Sequence, residues 1–247
     1  TNNTKALMDW VAQGGTLIAN NRSTRFLASN AEIGSVRMIQ DTFENSNDYN
    51  FDLLRETSAL NNEIDKKNIQ QYSLDLKIEY PWESSEERLS QEELEFRDEW
   101  QSIFMPSGAM VAGRVDNKHW LSFGAPDVLP ILYGNYPVLM TGRNAEAVVR
   151  IGSYEDNNEV QDYRTINWSS IPPGKDLNIR MSGLVWPEAA QRIANSAYVT
   201  REKIGKGQII LFSGEPNFRG STRGTNRIWL NAVIYGSGLG TNPLVNP

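Results

Sequence analysis

The sequence of 247 residues contains no cysteine and a single histidine, His119. The missing cysteines exclude disulfides, thiolate metal ligation and a cysteine nucleophile, and they are compatible with an oxidising compartment and with the cytoplasm alike. The lone histidine excludes a zinc site with two histidine ligands built from this chain alone, and neither a metal nor another cofactor is expected. No apolar run approaches the roughly 20 residues of a membrane-spanning helix, and no signal-peptide pattern is visible, so no membrane span is expected. Cationic side chains number 24 against 30 acidic ones, giving a net charge of -6 and a pI of about 5.0. Phosphate backbones repel such a chain, which argues against a nucleic-acid partner.

What is present is enough for a folded core. Hydrophobic residues make up 39% and aromatic residues 10% of the chain, while the charged fraction of 22% is ordinary for a globular protein. The length is large for one domain and small for two, so a single domain over 1–247 with one large insertion is expected.

The opening residues predict a helix, with Ala6, Leu7, Trp10 and Val11 at helical spacing and Asn3 or Thr4 as its cap. Gly14-Gly15 ends it, and residues 16–19 follow as a short buried strand. A helix feeding a buried strand is half of a βαβ unit. The other half is expected upstream, which would make this chain the N-terminally truncated part of a larger domain.

Helices are further predicted over 23–30 and 51–71, and a strand over 72–78, with Asn-rich loop around 45–50. Residues 79–99 are strongly acidic, interrupted by Trp82, Leu89, Leu94 and Phe96, with Trp100 directly after them. A cation site or a dock for a basic partner is one reading. A solvated helical insertion with an apolar stripe, spanning about 45–106 with its flanks, is the reading that charge runs usually support.

Strands are predicted over 107–115, 136–141, 145–153 and 178–182, and a helix over 186–195 with Pro187 in its first turn. Residues 197–203 and 208–213 read as a hairpin around Gly205-Lys206-Gly207 rather than as a phosphate loop, whose glycine spacing is absent. A last helix over 225–235 places Ile228, Trp229, Ala232 and Val233 on one buried face, and Gly236 ends it.

Three stretches carry a resemblance. The segment LMDWVAQGGTLIA resembles the helix–Gly-Gly–strand unit of class I glutamine-amidotransferase-like domains. DNKHWLSFG resembles a D-x-x-H-P-L-x-x-G segment of such domains appended to zinc carboxypeptidases. IGKGQIILFSGEPNFRGSTRGTNRIWLNAVIYG resembles their C-terminal hairpin and final helix. The match covers the first 20 residues and roughly 107–236. It implies a flavodoxin-like α/β core with a largely parallel sheet, carrying the inserted acidic helical segment and a β-hairpin near the C-terminus. It also implies an upstream carboxypeptidase domain in the same polypeptide, and an exported, periplasmic or secreted, parent protein.

The resemblance does not imply catalysis by this chain. Carboxypeptidases of that family bind zinc through a His-x-x-Glu pair and a later histidine, which one histidine cannot supply. Amidotransferases place a cysteine at a sharp strand-to-helix turn, where this sequence has Asn20, Asn21 and Arg22, and the family's F-H-P-E strand end corresponds to Phe212-Ser213-Gly214-Glu215. Nucleophile and base are both missing, and only Glu215 matches. No catalytic residue is therefore expected.

Asn20, Asn21, Arg22, Glu215, Asn217 and Arg219 are expected near strand C-terminal ends, where open α/β sheets bind ligands, and their other reading is as caps and turn residues. His119 is a candidate general base or ligand contact, or an imidazole bonded to loop backbone. Trp82, Trp100, Trp120 and Trp168 suggest a sugar-binding aromatic surface or, more commonly for tryptophan, packing. Two functions follow, an accessory domain that supports or orients a peptidase domain and a ligand- or carbohydrate-binding module using the strand-end cleft, with an enzyme using Glu215 and an acidic partner as a third, weaker reading.

Overall fold

The computed structural model describes residues 2–43, 89–142, 144–161, 163–167 and 169–241. The helix and strand predicted over 51–71 and 72–78, residues Trp82 and Trp168, and most of the insertion lie outside the described residues.

In chain order the elements are α1 (Asn2–Ala12), β1 (Thr16–Asn20), α2 (Asn21–Ala28), β2 (Arg37–Met38), α3 (Ile39–Thr42), α4 (Gln91–Ser102) and β3 (Ala109–Val115). A 3-10 turn (Trp120–Ser122) leads to β4 (Val128–Tyr133), β5 (Leu139–Met140), β6 (Ala145–Ile151) and β7 (Ser153–Asp156). Then come β8 (Arg164–Ile166), β9 (Ser169–Ile171), β10 (Lys175–Asn178), β11 (Arg180–Ser182), α5 (Pro187–Ile193), β12 (Ala197–Ile204), β13 (Gly207–Phe212) and α6 (Arg223–Tyr235).

Nine strands form one curled sheet whose main path runs β1-β13-β12-β6-β3-β11, with β4 on β3 and the short β5 and β2 alongside. β1 and β13 are parallel, Thr16 facing Gln208 and Asn20 facing Phe212. Every other ladder among the described residues is antiparallel.

The expected flavodoxin-like core with a largely parallel sheet is therefore incorrect: the sheet is mixed, mostly antiparallel, and curls into a half-barrel. The reason lies in the connections. Parallel neighbours need a crossover of about a dozen residues or more, usually helical. Among the described residues between β3 and β13 the only α-helix is α5, and β12 joins β13 through a tight turn at Gly205, φ 58°. The helix–Gly-Gly–strand unit is real, but it occurs once.

Two glycine and asparagine positions explain shorter elements than the periodicity predicted. Gly152, φ 102°, lies where a side chain would strike Leu177, and there the predicted strand 145–153 divides into β6 and β7. Asn195, φ 58°, ends the segment predicted as helix to 195, its amide donating to Ile166 O and its Oδ1 accepting from Arg114.

Two apolar layers sandwich the β1–β13–β12 region. Alternation along β13 sends Ile209 and Leu211 into a core with Val11 of α1 and Leu27 of α2, and Ile210 and Phe212 into a larger core with Ile228 and Ala232 of α6. On α6, Ile228 and Ala232 are buried as expected and the Trp229 ring packs edge-on against Phe212 at 5.2 Å, but Val233 is 53% exposed. Asn231 takes the inner position instead, its amide donating to Leu121 O and Phe123 O.

Helix α4 bears only part of the expected apolar stripe: Leu94 packs against the main core, but Leu89 just before the helix and Phe96 and Trp100 on it are exposed. A reciprocal Ser90–Glu93 capping box starts it. Its buried residues are Asp98 and Gln101. Asp98 accepts two bonds from Arg192 of α5, at 2.8 and 3.0 Å, with both side chains under a tenth exposed. Removing one partner strands a buried charge, at a cost of about 3–5 kcal/mol. Arg192→Ala is thus expected to lower the thermal midpoint by roughly 6 °C or more, and pairing Asp98→Leu with Arg192→Met to restore most of it; circular dichroism melts check both.

Candidate functional site

β1 runs into α2 with no intervening loop. Asn20 is extended, and Asn21, the first helical residue, has φ 43°, a left-handed conformation that asparagine tolerates better than most residues. The turn is held from the neighbouring strand: Thr24 donates its hydroxyl to Phe212 O at 2.8 Å, buried. The end of β13 therefore lies beside the turn, and the Asn21 amide donates to Glu215 Oε1 at 3.2 Å.

Ser213, just before, is buried and donates to Pro137 O at 2.7 Å. Its hydroxyl is oriented by a backbone acceptor, with no imidazole nearby to accept its proton. Gly214 is needed beside it because a side chain there would collide with the Tyr136 ring.

Tyr136 stacks edge-on against Tyr133 at 5.5 Å, and Tyr198 is buried in the same core. All three phenols are pushed upward in pKa, first by burial: Tyr133 to about 12, Tyr136 with a further contribution from the Glu215 charge, and Tyr198 most strongly. They are neutral hydrogen-bonding groups near pH 7. The Ser213 and Ser196 hydroxyls, which donate to Pro137 O and Ile193 O, keep acceptor lone pairs for the Tyr133 hydroxyl and moderate its upward shift.

The predicted ligand residues fall into two groups. Asn20, Asn21 and Glu215 are partly buried and converge at the ends of β1 and β13, while Arg22, Asn217 and Arg219 lie on the exposed rim. Arg219 is left-handed, φ 49°, with its guanidinium 5.1 Å above the Phe218 ring. His119 does not join them. Its partners are Glu146 and, through that carboxylate, Arg201, which pairs with Ile210 toward the β12–β13 turn. Tyr136 and Tyr198 were not identified from sequence; nothing in their spacing links residues so far apart to the end of β13.

The arrangement offers an amide, a carboxylate and neutral phenols. It can orient a ligand by hydrogen bonds, but it holds no nucleophile–base pair. Among the described residues no three His, Asp or Glu side chains cluster as metal ligands, and no helix is long and apolar enough to cross a membrane. Comparison with family models, with curated proteins and with solved structures gives no match.

The surroundings of His119 fix its tautomer. Nδ1 accepts from Leu121 N–H at 3.1 Å, so the proton sits on Nε2, which faces Glu146 Oε2 at 3.3 Å. Burial lowers its pKa below the ordinary 6.5, outweighing the pull of Glu146. The unfolded chain thus takes up this proton first as pH falls. The stability is fully present above 6.5 and declines between that value and the lowered folded one. The thermal midpoint of the parent should therefore fall more steeply below pH 6.5 than that of His119→Asn. A His119 NMR titration midpoint above 6.5 would contradict this.

Proposed function

We propose that this chain is a non-catalytic accessory module that supports or orients a carboxypeptidase domain of the same polypeptide in an extracytoplasmic compartment. The compartment and the partner domain rest on the sequence resemblance. The observation that carries the non-catalytic reading is the Asn21–Glu215 hydrogen bond. At the strand-to-helix turn where an amidotransferase-like domain would carry its cysteine, a carboxamide is bonded to the one acidic residue that matches the family pattern. Neither group attacks a carbonyl, and the Ser213 hydroxyl beside them is turned to a backbone carbonyl.

A second reading, a ligand- or carbohydrate-binding module at the same strand ends, is favoured by one observation. Asn21, which bonds Glu215, and Arg219, four residues beyond Glu215 in the chain, are both left-handed non-glycine residues, and strained backbone of this kind concentrates at ligand sites.

The test is direct. The purified chain, incubated with glutamine and with peptides bearing free C-termini, is expected to show no turnover; activity that survives purification and disappears in Glu215→Ala overturns the proposal. Saturable thermal stabilisation by a mono- or oligosaccharide, lost in the same variant, would favour the second reading. Metal analysis after dialysis against a weak chelator should give well under one zinc per chain, since carboxylates alone select zinc poorly. Equimolar zinc lost on His119→Ala would contradict it.

A further inference from the structure

Among the described residues β1 pairs with β13 on one side only. Gly15 O accepts from Gln208 N–H, so Gly15, Leu17 and Ala19 turn their backbone groups toward β13, and alternation turns those of Thr16, Ile18 and Asn20 outward. Exposed edges are ordinarily blunted by charge, proline or a bulge. The sequence of β1, TLIAN, has neither charge nor proline, and its register with β13 is unbroken.

Both faces beside this edge are apolar. On one, Trp10 of α1 lies over Gly15 and is 51% exposed. On the other lies α6, placed between the 3-10 turn and β1: Asn231 clamps the turn, while Gly236 lies against Thr16 and its carbonyl accepts the Thr16 hydroxyl at 2.8 Å. Trp229 and Val233 share the flank of α6 nearer β1, and Leu230, Val233 and Ile234 are all exposed.

The charges on α6 run against its dipole. Arg223 begins the helix, Arg219 precedes it, no acidic residue occupies the first turn and no basic residue the last. A helix favours the reverse. A second α6 lying antiparallel would bring each arginine-bearing N-terminus to the partner's C-terminal end, the negative pole of its dipole, whose last turn carries no basic residue. Because α6 runs antiparallel to β1, a two-fold axis through Ile18 achieves this while setting Ile18 opposite Ile18 and Thr16 opposite Asn20 across the joined edges. The interface is isologous, as closed dimers require.

We propose that the β1 edge and the outer face of α6 bind a second copy of this chain, joining two sheets by antiparallel β1 pairing about a two-fold axis. Sedimentation velocity of the full chain from about 1 to 100 μM, the range in which modest interfaces dissociate, is expected to show a species of twice the 27.8 kDa chain mass. Leu230→Glu with Val233→Glu should give a monomer with an unchanged circular dichroism spectrum. Arg223→Glu tests charge pairing without touching the core: it should weaken association about tenfold while leaving the monomer's thermal midpoint equal or higher, as an acid at a helix start does. In hydrogen exchange, the Ile18 amide should be protected in the dimer and exposed in the double variant. A parent that stays monomeric throughout overturns the proposal. A dimer that persists in both variants, or one whose Ile18 amide exchanges freely, overturns it as well.

Discussion

Every residue of β13 is buried, and its side chains leave alternately into two separate cores. Gly207 at its start approaches the Val11 and Gly15 carbonyls too closely for any side chain. Gln208 then reaches the far side of the sheet, donating to Gly236 O and Leu239 O and accepting from Arg201. Beyond Phe212 the same strand delivers Ser213 and Glu215 to the turn between β1 and α2. The seating of α1, the C-terminal end of α6 and the candidate site thus share one dependence: a strand that must be dry on both faces, with its few polar groups bonded.

The elements legible in the sequence were those fixed by neighbours along the chain. Gly14-Gly15 ends α1 and Gly205 turns the closing hairpin, because both need backbone conformations that glycine supplies without strain. Strand sense is not local. Leu17, Ile18 and Ala19 are compatible with either direction of pairing, and the antiparallel majority of ladders follows from short connections and from partners brought together over long separations. On α6 the helical spacing identified Ile228 and Ala232 correctly, yet it admitted Val233 over Asn231, since hydropathy does not register two backbone carbonyls waiting for an amide.

The candidate site divided in the same manner. Asn20, Asn21 and Glu215 were legible because strand ends on a shared sheet edge tend to converge, whatever the sense of the other strands. His119 was not placeable: its position depends on Glu146 and on Arg201, which bonds that carboxylate at 3.1 Å. The tyrosines near Glu215 come from β4, the loop after it and β12, and only the curl of the sheet assembles them.

The ion pair that seats α4 has a geometric consequence. An apolar stripe can slip by a turn along its groove and lose little contact area, because dispersion has no direction. A carboxylate gripped by two nitrogens of one guanidinium has a single docked arrangement, and displacement by one helical step withdraws both bonds together. The seat of α4 on α5 is therefore discrete in register: the helix is either home or detached, with no graded intermediate positions between.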